Sequence, residues 1–145
     1  MGTRSLTKVI ESWTDKNGNK KEQTLTTMYK QMDGYMSGYG TDLSEFLKDI
    51  SLVSGIRLNE KRQIANGMSC LAAQLFAHFK DGAGGIYLYP PESTNCGEEY
   101  IYTIRETEDN EISLEVYDTY DKKVIFNGSP KQLLIKLKYK ENGKA

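Results

Sequence analysis

The sequence predicts an α+β fold, a largely antiparallel sheet of about six strands packed on a central buried helix plus two further helices. A hairpin pattern opens the chain, and residues 68–79 are apolar at helical spacing nearly all round. Strand-like segments and turns then fill residues 86–126. Strands and helices grouped in this way are typical of helices packed on an antiparallel sheet. We predict one domain over residues 1–145, because no linker interrupts a length suited to one core.

The first elements are a predicted hairpin and a short helix. Strands near residues 5–12 and 22–29 flank Asn17-Gly18, a pair that supplies the positive φ of tight hairpin turns. After a glycine-rich stretch, an apolar stripe from Leu43 to Ile50 predicts a helix. Its expected N-cap is Thr41 or Asp42, with Glu45 three residues beyond Asp42 completing a capping box.

The remaining elements follow from spacing and turn residues. We expect residues 51–66 to be a loop with a short helical turn, followed by the central helix from Met68. The four later strands are predicted near residues 86–89, 99–106, 112–118 and 123–126. Ser129-Pro130 matches an N-cap followed by proline at the first helical position, which favours a final helix over residues 130–140. A strand is the alternative there, since apolar residues also alternate with lysines.

Composition narrows the class of protein. The net charge of −1 argues against a coat for duplex nucleic acid, which needs a basic face. No apolar run is long enough to span a membrane, and no export signal follows Met1, so we expect a cytoplasmic protein. Cys70 and Cys96 lie in unrelated contexts without a CxxC pair, which predicts free thiols and no structural metal.

Charge is distributed in blocks along the chain. Residues 92–121 hold ten acidic residues and one basic residue, Arg105, whereas residues 1–31 and 122–145 are basic. Two interpretations stay open: solvated faces or opposite ends that meet within the fold, or an acidic block that meets a basic end of another protomer. The second interpretation supports the prediction of a homo-oligomer.

Catalytic motifs are missing from the sequence. His78 is the only histidine, and the chain has no P-loop, nucleophile elbow or zinc-protease motif. We therefore assign no catalytic residue and no cofactor. Asp33, Asp42 and Glu45 are close enough in sequence to suggest a divalent ion, but their spacing matches no known metal loop, so no metal site is assigned.

The stretch from Asp33 to Gly40 is instead typical of a binding loop. Glycines allow the backbone to approach a ligand and to aim N–H groups at an anion, while tyrosine rings can stack on a planar group. A turn that only needs unusual dihedrals is the alternative. Arg4 is expected to pair with a phosphate, and a donor-rich helix start, Gln74 and a strand tyrosine are placed nearby. The predicted ligand-binding residues are Arg4, Asp33, Gly34, Tyr35, Ser37, Gly38, Tyr39, Gly40, Asn66, Gly67, Gln74 and Tyr87.

Several of these residues carry a resemblance. Residues 1–5 (MGTRS), 28–40, 66–75, 85–90 and 96–102 resemble an uncharacterised family of small phage and bacterial proteins with a YRQxDGYPSGHG-like loop. Where that pattern has arginine, proline and histidine, this chain has Lys30, Met36 and Tyr39. A family mechanism based on that histidine would lack its base here, which favours binding over catalysis. The resemblance also implies a location in the host cytoplasm if the protein is phage-encoded.

Three hypotheses about function follow. The first is a non-enzymatic protein that binds a phosphorylated small molecule, with a cyclic nucleotide signal as the leading candidate and a phage counter-defence sponge as the role. The second is a protein-interaction module or inhibitor acting through the acidic strands. The third is a metal-assisted phosphoesterase that uses Asp33 with Glu98 or Glu99.

Overall fold

A computed structural model describes residues 2–142, with side chains to residue 139. A π-helical turn at Met36–Gly40 leads directly into the first α-helix. The described strands and α-helices are, in chain order, β1 Ser5–Thr14, β2 Lys20–Lys30, α1 Thr41–Leu47, β3 Ser51–Val53, β4 Ile64–Asn66, α2 Gly67–Phe79, β5 Ile86–Tyr89, β6 Tyr100–Glu106, β7 Ile112–Asp118, β8 Lys123–Gly128 and α3 Pro130–Asn142.

Six of the strands form one mixed, mostly antiparallel sheet in the order β5-β2-β1-β6-β7-β8. Only its central pair, β1 with β6, is parallel. With three α-helices beside this sheet, the predicted α+β class is confirmed. No helix within residues 2–142 is long and apolar enough to cross a membrane.

Local signals explain the hairpin and the last helix. Gly18 has φ +81°, and the Asp15 carboxylate accepts the N–H groups of Asn17 and Asn19, so the predicted turn is closed by its own side chain. The predicted final helix is also confirmed. Ser129 Oγ accepts the Gln132 N–H, and Gln132 Oε1 accepts the Ser129 N–H, which is a reciprocal capping box.

Two predictions about the first half of the chain are wrong. Residues 51–66 hold the short parallel strands β3 and β4 rather than a helical turn. The prediction failed because a strand of three residues is too short to show an alternating pattern in the sequence. The capping box at Thr41, Asp42 and Glu45 is also absent. The chain is already helical from Met36, so carbonyls of the preceding turn accept the N–H groups that a cap would serve.

The core lies between α2 and one face of the sheet. Leu71 and Leu75 of α2 are fully buried, together with Val9 of β1 and Ile104 of β6. The predicted central helix is thereby confirmed. The opposite face of the sheet is crossed by the segment 90–99, which connects edge strand β5 to central strand β6.

Candidate functional site

The loop from Asp33 to Gly40 is bound to the end of the sheet rather than open to a ligand. The Tyr39 side chain is 1% exposed, its hydroxyl shares a 2.7 Å hydrogen bond with Thr7 Oγ1, and its ring meets the Tyr102 ring edge-on at 5.0 Å. Burial raises the pKa of the Tyr39 hydroxyl well above its usual value. No ring face is left for a ligand, so of the two loop tyrosines predicted to stack on a planar group Tyr39 cannot do so, and Tyr35 is the exposed one.

The N–H groups of this loop are largely used within the protein. Gly34 donates to Thr3 O, Gly38 and Gly40 donate to Tyr35 O, and Tyr39 donates to Asp33 O. These four groups cannot also hold a phosphate in this conformation. The predicted cradle of N–H groups is therefore wrong for these positions.

Space, rather than dihedral freedom, explains two of the loop glycines. Asp33 is the residue of this loop with a left-handed backbone conformation, at φ +61°. None of the three loop glycines, Gly34, Gly38 and Gly40, has a positive φ. A Cβ on Gly34 would lie 2.7 Å from Ser5 Cβ, and one on Gly38 would lie 2.9 Å from Asp33 O. A Cβ on Gly40 would meet its nearest atoms at 3.5 Å, an ordinary contact.

We predict opposite effects of alanine at two of these glycines. Gly34→Ala should lower the free energy of unfolding by about 1–3 kcal/mol, because its methyl group overlaps a buried serine. Gly40→Ala, at a helical φ of −57°, should leave stability unchanged or raise it by up to about 1 kcal/mol. Urea unfolding measures both, and equal losses would contradict this account of the loop.

The predicted residues at the start of the central helix lie far from this loop, and Gln74 is engaged elsewhere. Phe79 at the end of α2 contacts the Tyr39 ring, and 13 residues at a rise of about 1.5 Å place Gly67 roughly 18 Å away. Asn66 Oδ1 accepts the Gly55 N–H, and Gln74 Nε2 donates to Ile64 O, so both amides hold the neighbouring loop. These residues therefore do not form one site with residues 33–40.

The exposed predicted residues divide between the two faces of the sheet. Tyr35 and Ser37 line a cleft of about 600 Å³ on the helix side, which Tyr100, Lys123 and Lys136 also line. Tyr87 lies in register with Tyr29 and Leu6 on the opposite face, at edge strand β5. The structure therefore does not bring Tyr35, Tyr87 and Arg4 together.

Arg4 lines a separate cleft of about 370 Å³ just before β1 begins. Its side chain packs against Gly97, where a Cβ would lie 2.5 Å from Arg4 Nη1, and where φ is +82°. The positive φ favours glycine at position 97, whereas the contact alone would not, because the end of the Arg4 side chain can shift. The predicted ligand-binding set omitted the other lining residues, although all of them lie in the stretches 1–5, 28–40 and 96–102 that carry the resemblance: they are Gly2, Gln31, Met32, Gly97 and Glu99.

The wall of the Arg4 cleft that holds Gly97 belongs to the crossover segment 90–99, and Lys8 fastens this segment to the sheet. Lys8 Nζ donates to Pro91 O, Ser93 O and Thr27 Oγ1 at 2.8–2.9 Å. Burial lowers the pKa of the Lys8 ammonium, while nearby Cys96 and the carboxylates of the segment oppose that shift. Backbone carbonyls thus take the place of water around the Lys8 ammonium. This charged side chain thereby holds one wall of the cleft in position.

No protein-family model, curated protein or solved structure matches this chain. The resemblance to small phage and bacterial proteins, the single domain and the homo-oligomer therefore stay predictions. Among the side chains that the structure describes, no three His, Cys, Asp or Glu residues are grouped so that they could hold a metal ion. Function is inferred from the geometry of the remaining groups.

Proposed function

We propose that the protein binds a phosphorylated small molecule in the Arg4 cleft and releases it unchanged, with a cyclic nucleotide as the leading candidate. One observation carries the proposal: Arg4 lines a cleft and forms no ion pair with a carboxylate of the described residues. Arg62 and Arg105 are each ion-paired, and Arg57, which also has no ion pair among the described residues, lies in the exposed segment between β3 and β4. A free guanidinium presents planar, paired donors that match phosphate oxygens.

The other lining groups suit the rest of a nucleotide. The Met32 side chain is 56% exposed and offers a soft apolar surface to the face of a base. The Gln31 amide can both donate to and accept from a base edge, and the Glu99 carboxylate can accept from sugar hydroxyls. Gly2 and Gly97 keep the walls free of side chains, so a ligand can approach the backbone.

No chemical step is part of this proposal. His78 stacks on Phe46 among the helices, and the Arg4 cleft contains a single carboxylate, Glu99, without a second acid-base group. A protein of this kind acts by holding its ligand, which agrees with the hypothesis of a counter-defence sponge. Sequestration of a host nucleotide signal is the proposed role.

Arg4→Ala is expected to weaken nucleotide binding by about 10- to 100-fold, the usual loss when a charge-assisted hydrogen-bond pair is removed. The measurement is native mass spectrometry with a pool of mono-, di- and cyclic nucleotides, followed by calorimetry with the retained species. Arg105→Ala is the matched control, since it removes the same charge from a side chain paired with Glu22 and Glu115.

Three results would contradict the proposal. The first is a wild-type spectrum without any retained nucleotide. The second is equal binding by the Arg4→Ala and Arg105→Ala variants. The third is recovery of a hydrolysed ligand, which would favour the phosphoesterase hypothesis.

A further inference from the structure

The crossover segment 90–99 is attached to the rest of the chain at its two ends. At the first end, the Lys8 ammonium donates to two carbonyls of the segment, Pro91 O and Ser93 O. At the second end, the last two residues of the segment bond through their backbone groups to residues just before β1 and just after β7. Among the described residues, no hydrogen bond joins residues 94–97 to the rest of the chain. The position of this middle part therefore depends on the two attachments.

The first attachment combines one side chain from β1 with one from β2. Lys8 and Thr27 lie directly opposite each other in the register of the two strands. The Thr27 hydroxyl donates to Pro91 O at 2.7 Å and accepts from Lys8 Nζ at 2.9 Å. Hydrogen bonds from a charged donor are about twice as strong as those between neutral groups. Lys8 is therefore the stronger of the two fastenings.

The middle part of the segment touches the group that we assign to the phosphate. Gly97 lies against the Arg4 side chain, and the positive φ values of Asn95 and Gly97 mark the bend that brings it there. An arginine side chain has large rotamer freedom, so a wall that limits this freedom lowers the entropic cost of pairing with a phosphate. Lys8 does not line the cleft, so its effect on a ligand must pass through the segment.

We propose that Lys8 is a positioning residue for the ligand of the Arg4 cleft, because it holds the Gly97 wall against the guanidinium. This inference rests on the proposed function, since it concerns affinity at the same cleft. The segment has an attached and a detached state, and a nucleotide binds the attached state more tightly. By linkage, a bound nucleotide favours attachment by the same factor.

Proteolysis measures the attachment without any nucleotide. A glutamate-specific protease cleaves after Glu92, between the two carbonyls that Lys8 holds, so cleavage there requires the segment to leave the sheet. Glu108, in the exposed turn after β6, is the reference cleavage site in the same chain. Lys8→Met should raise the initial rate at Glu92 relative to Glu108 about tenfold, the effect of one charge-assisted hydrogen bond on an opening equilibrium. Lys21→Met, which removes an exposed lysine from β2, should leave this ratio unchanged.

Calorimetry measures the consequence for binding, with the nucleotide retained from the pool of mono-, di- and cyclic nucleotides. Lys8→Met should weaken this nucleotide about fivefold or more, the lower range of coupling between two sites, and Lys21→Met should not. Combined with Arg4→Ala, Lys8→Met should cause no further loss, because Lys8 acts through the guanidinium; a merely structural role would give losses that add. In the wild type, the nucleotide should slow cleavage after Glu92, a residue that does not line the cleft.

Thr27→Val keeps the test available if Lys8→Met does not fold. It removes the second donor to Pro91 O and replaces threonine by a side chain of similar shape. We expect faster cleavage after Glu92 and weaker nucleotide binding, each by about two- to fivefold, the effect of one neutral hydrogen bond.

Four results would overturn the inference. The first is an unchanged ratio of cleavage after Glu92 and Glu108 in Lys8→Met. The second is an equal loss of nucleotide affinity in Lys21→Met, and the third is a loss in Lys8→Met that adds to that of Arg4→Ala. The fourth is undiminished nucleotide binding by Lys8→Met, which would leave the proposed function standing, whereas a wild type that retains no nucleotide would overturn both.

Discussion

Tyr102→Ala is expected to lower the free energy of unfolding by about 3–5 kcal/mol, the range for removing a large buried aromatic side chain. Tyr102 is fully buried, its hydroxyl donates to Gly34 O at 2.7 Å, and its ring packs edge-on against the Tyr39 ring. The substitution therefore leaves a cavity, an unpaired buried carbonyl and a loosened loop. Domains of this size are stable by only about 5–15 kcal/mol, so this variant would be close to unfolding.

Two milder variants keep this prediction testable if Tyr102→Ala does not fold. Tyr102→Phe removes only the donor to Gly34 O and should cost about 1–3 kcal/mol in urea unfolding. Tyr100→Phe, on the same strand but half-exposed, should change stability by less than about 0.5 kcal/mol. Equal effects of the two phenylalanine substitutions would show that the Tyr102 hydroxyl does not anchor the loop.

Alkaline pH is expected to destabilise the fold through the same two tyrosines. Burial holds the pKa values of Tyr39 and Tyr102 far above their usual value, whereas in the unfolded chain both ionise near pH 10. Above about pH 10 the native state therefore binds more protons than the unfolded state, and stability falls as pH rises. The expected slope is about 2.7 kcal/mol per pH unit for the two groups together, and their contribution is fully present below pH 10.

Urea unfolding between about pH 8.5 and 11.5 measures this slope. Tyr39→Phe removes one linked proton and should reduce the slope by about 1.4 kcal/mol per pH unit, whatever its stability at neutral pH. Tyr120→Phe is the matched control, because that side chain is 90% exposed and should leave the slope unchanged. Both variants keep every lysine, so lysine titration cancels in the comparison. Identical slopes would contradict the burial of a protonated Tyr39.

The tyrosine pair also shows why a loop composition can mislead. Glycines and tyrosines between residues 33 and 40 are typical of a binding loop, yet the same residues suit a tight cap over the end of a sheet. Composition states which contacts a side chain can make, but not whether a neighbouring strand already makes them. Thr7 and Tyr102 satisfy Tyr39 here, and both belong to other parts of the chain.

The Arg4 cleft illustrates the same limit on a larger scale. Arg4 stands out in the sequence as a scarce guanidinium, but Gly97 and Met32 join it only because β1 pairs with β2 and β6. Val9 and Ile104 are 95 positions apart and become neighbours only through the register of one parallel pair. Charge blocks behave likewise, since Lys20 of the basic start meets Glu108 of the acidic segment within one chain.

The sequence by itself determined the hairpin, the central helix, the last helix and the α+β class, because each depends on residues close together in the chain. Turn residues, helical spacing and the Ser129 cap are local signals that act before any long-range contact forms. Tertiary structure alone decided which predicted site residues face solvent, where β3 and β4 pair, and how Lys8 holds the crossover segment. Those outcomes depend on strand order and register, which join residues distant in sequence and which no local pattern encodes.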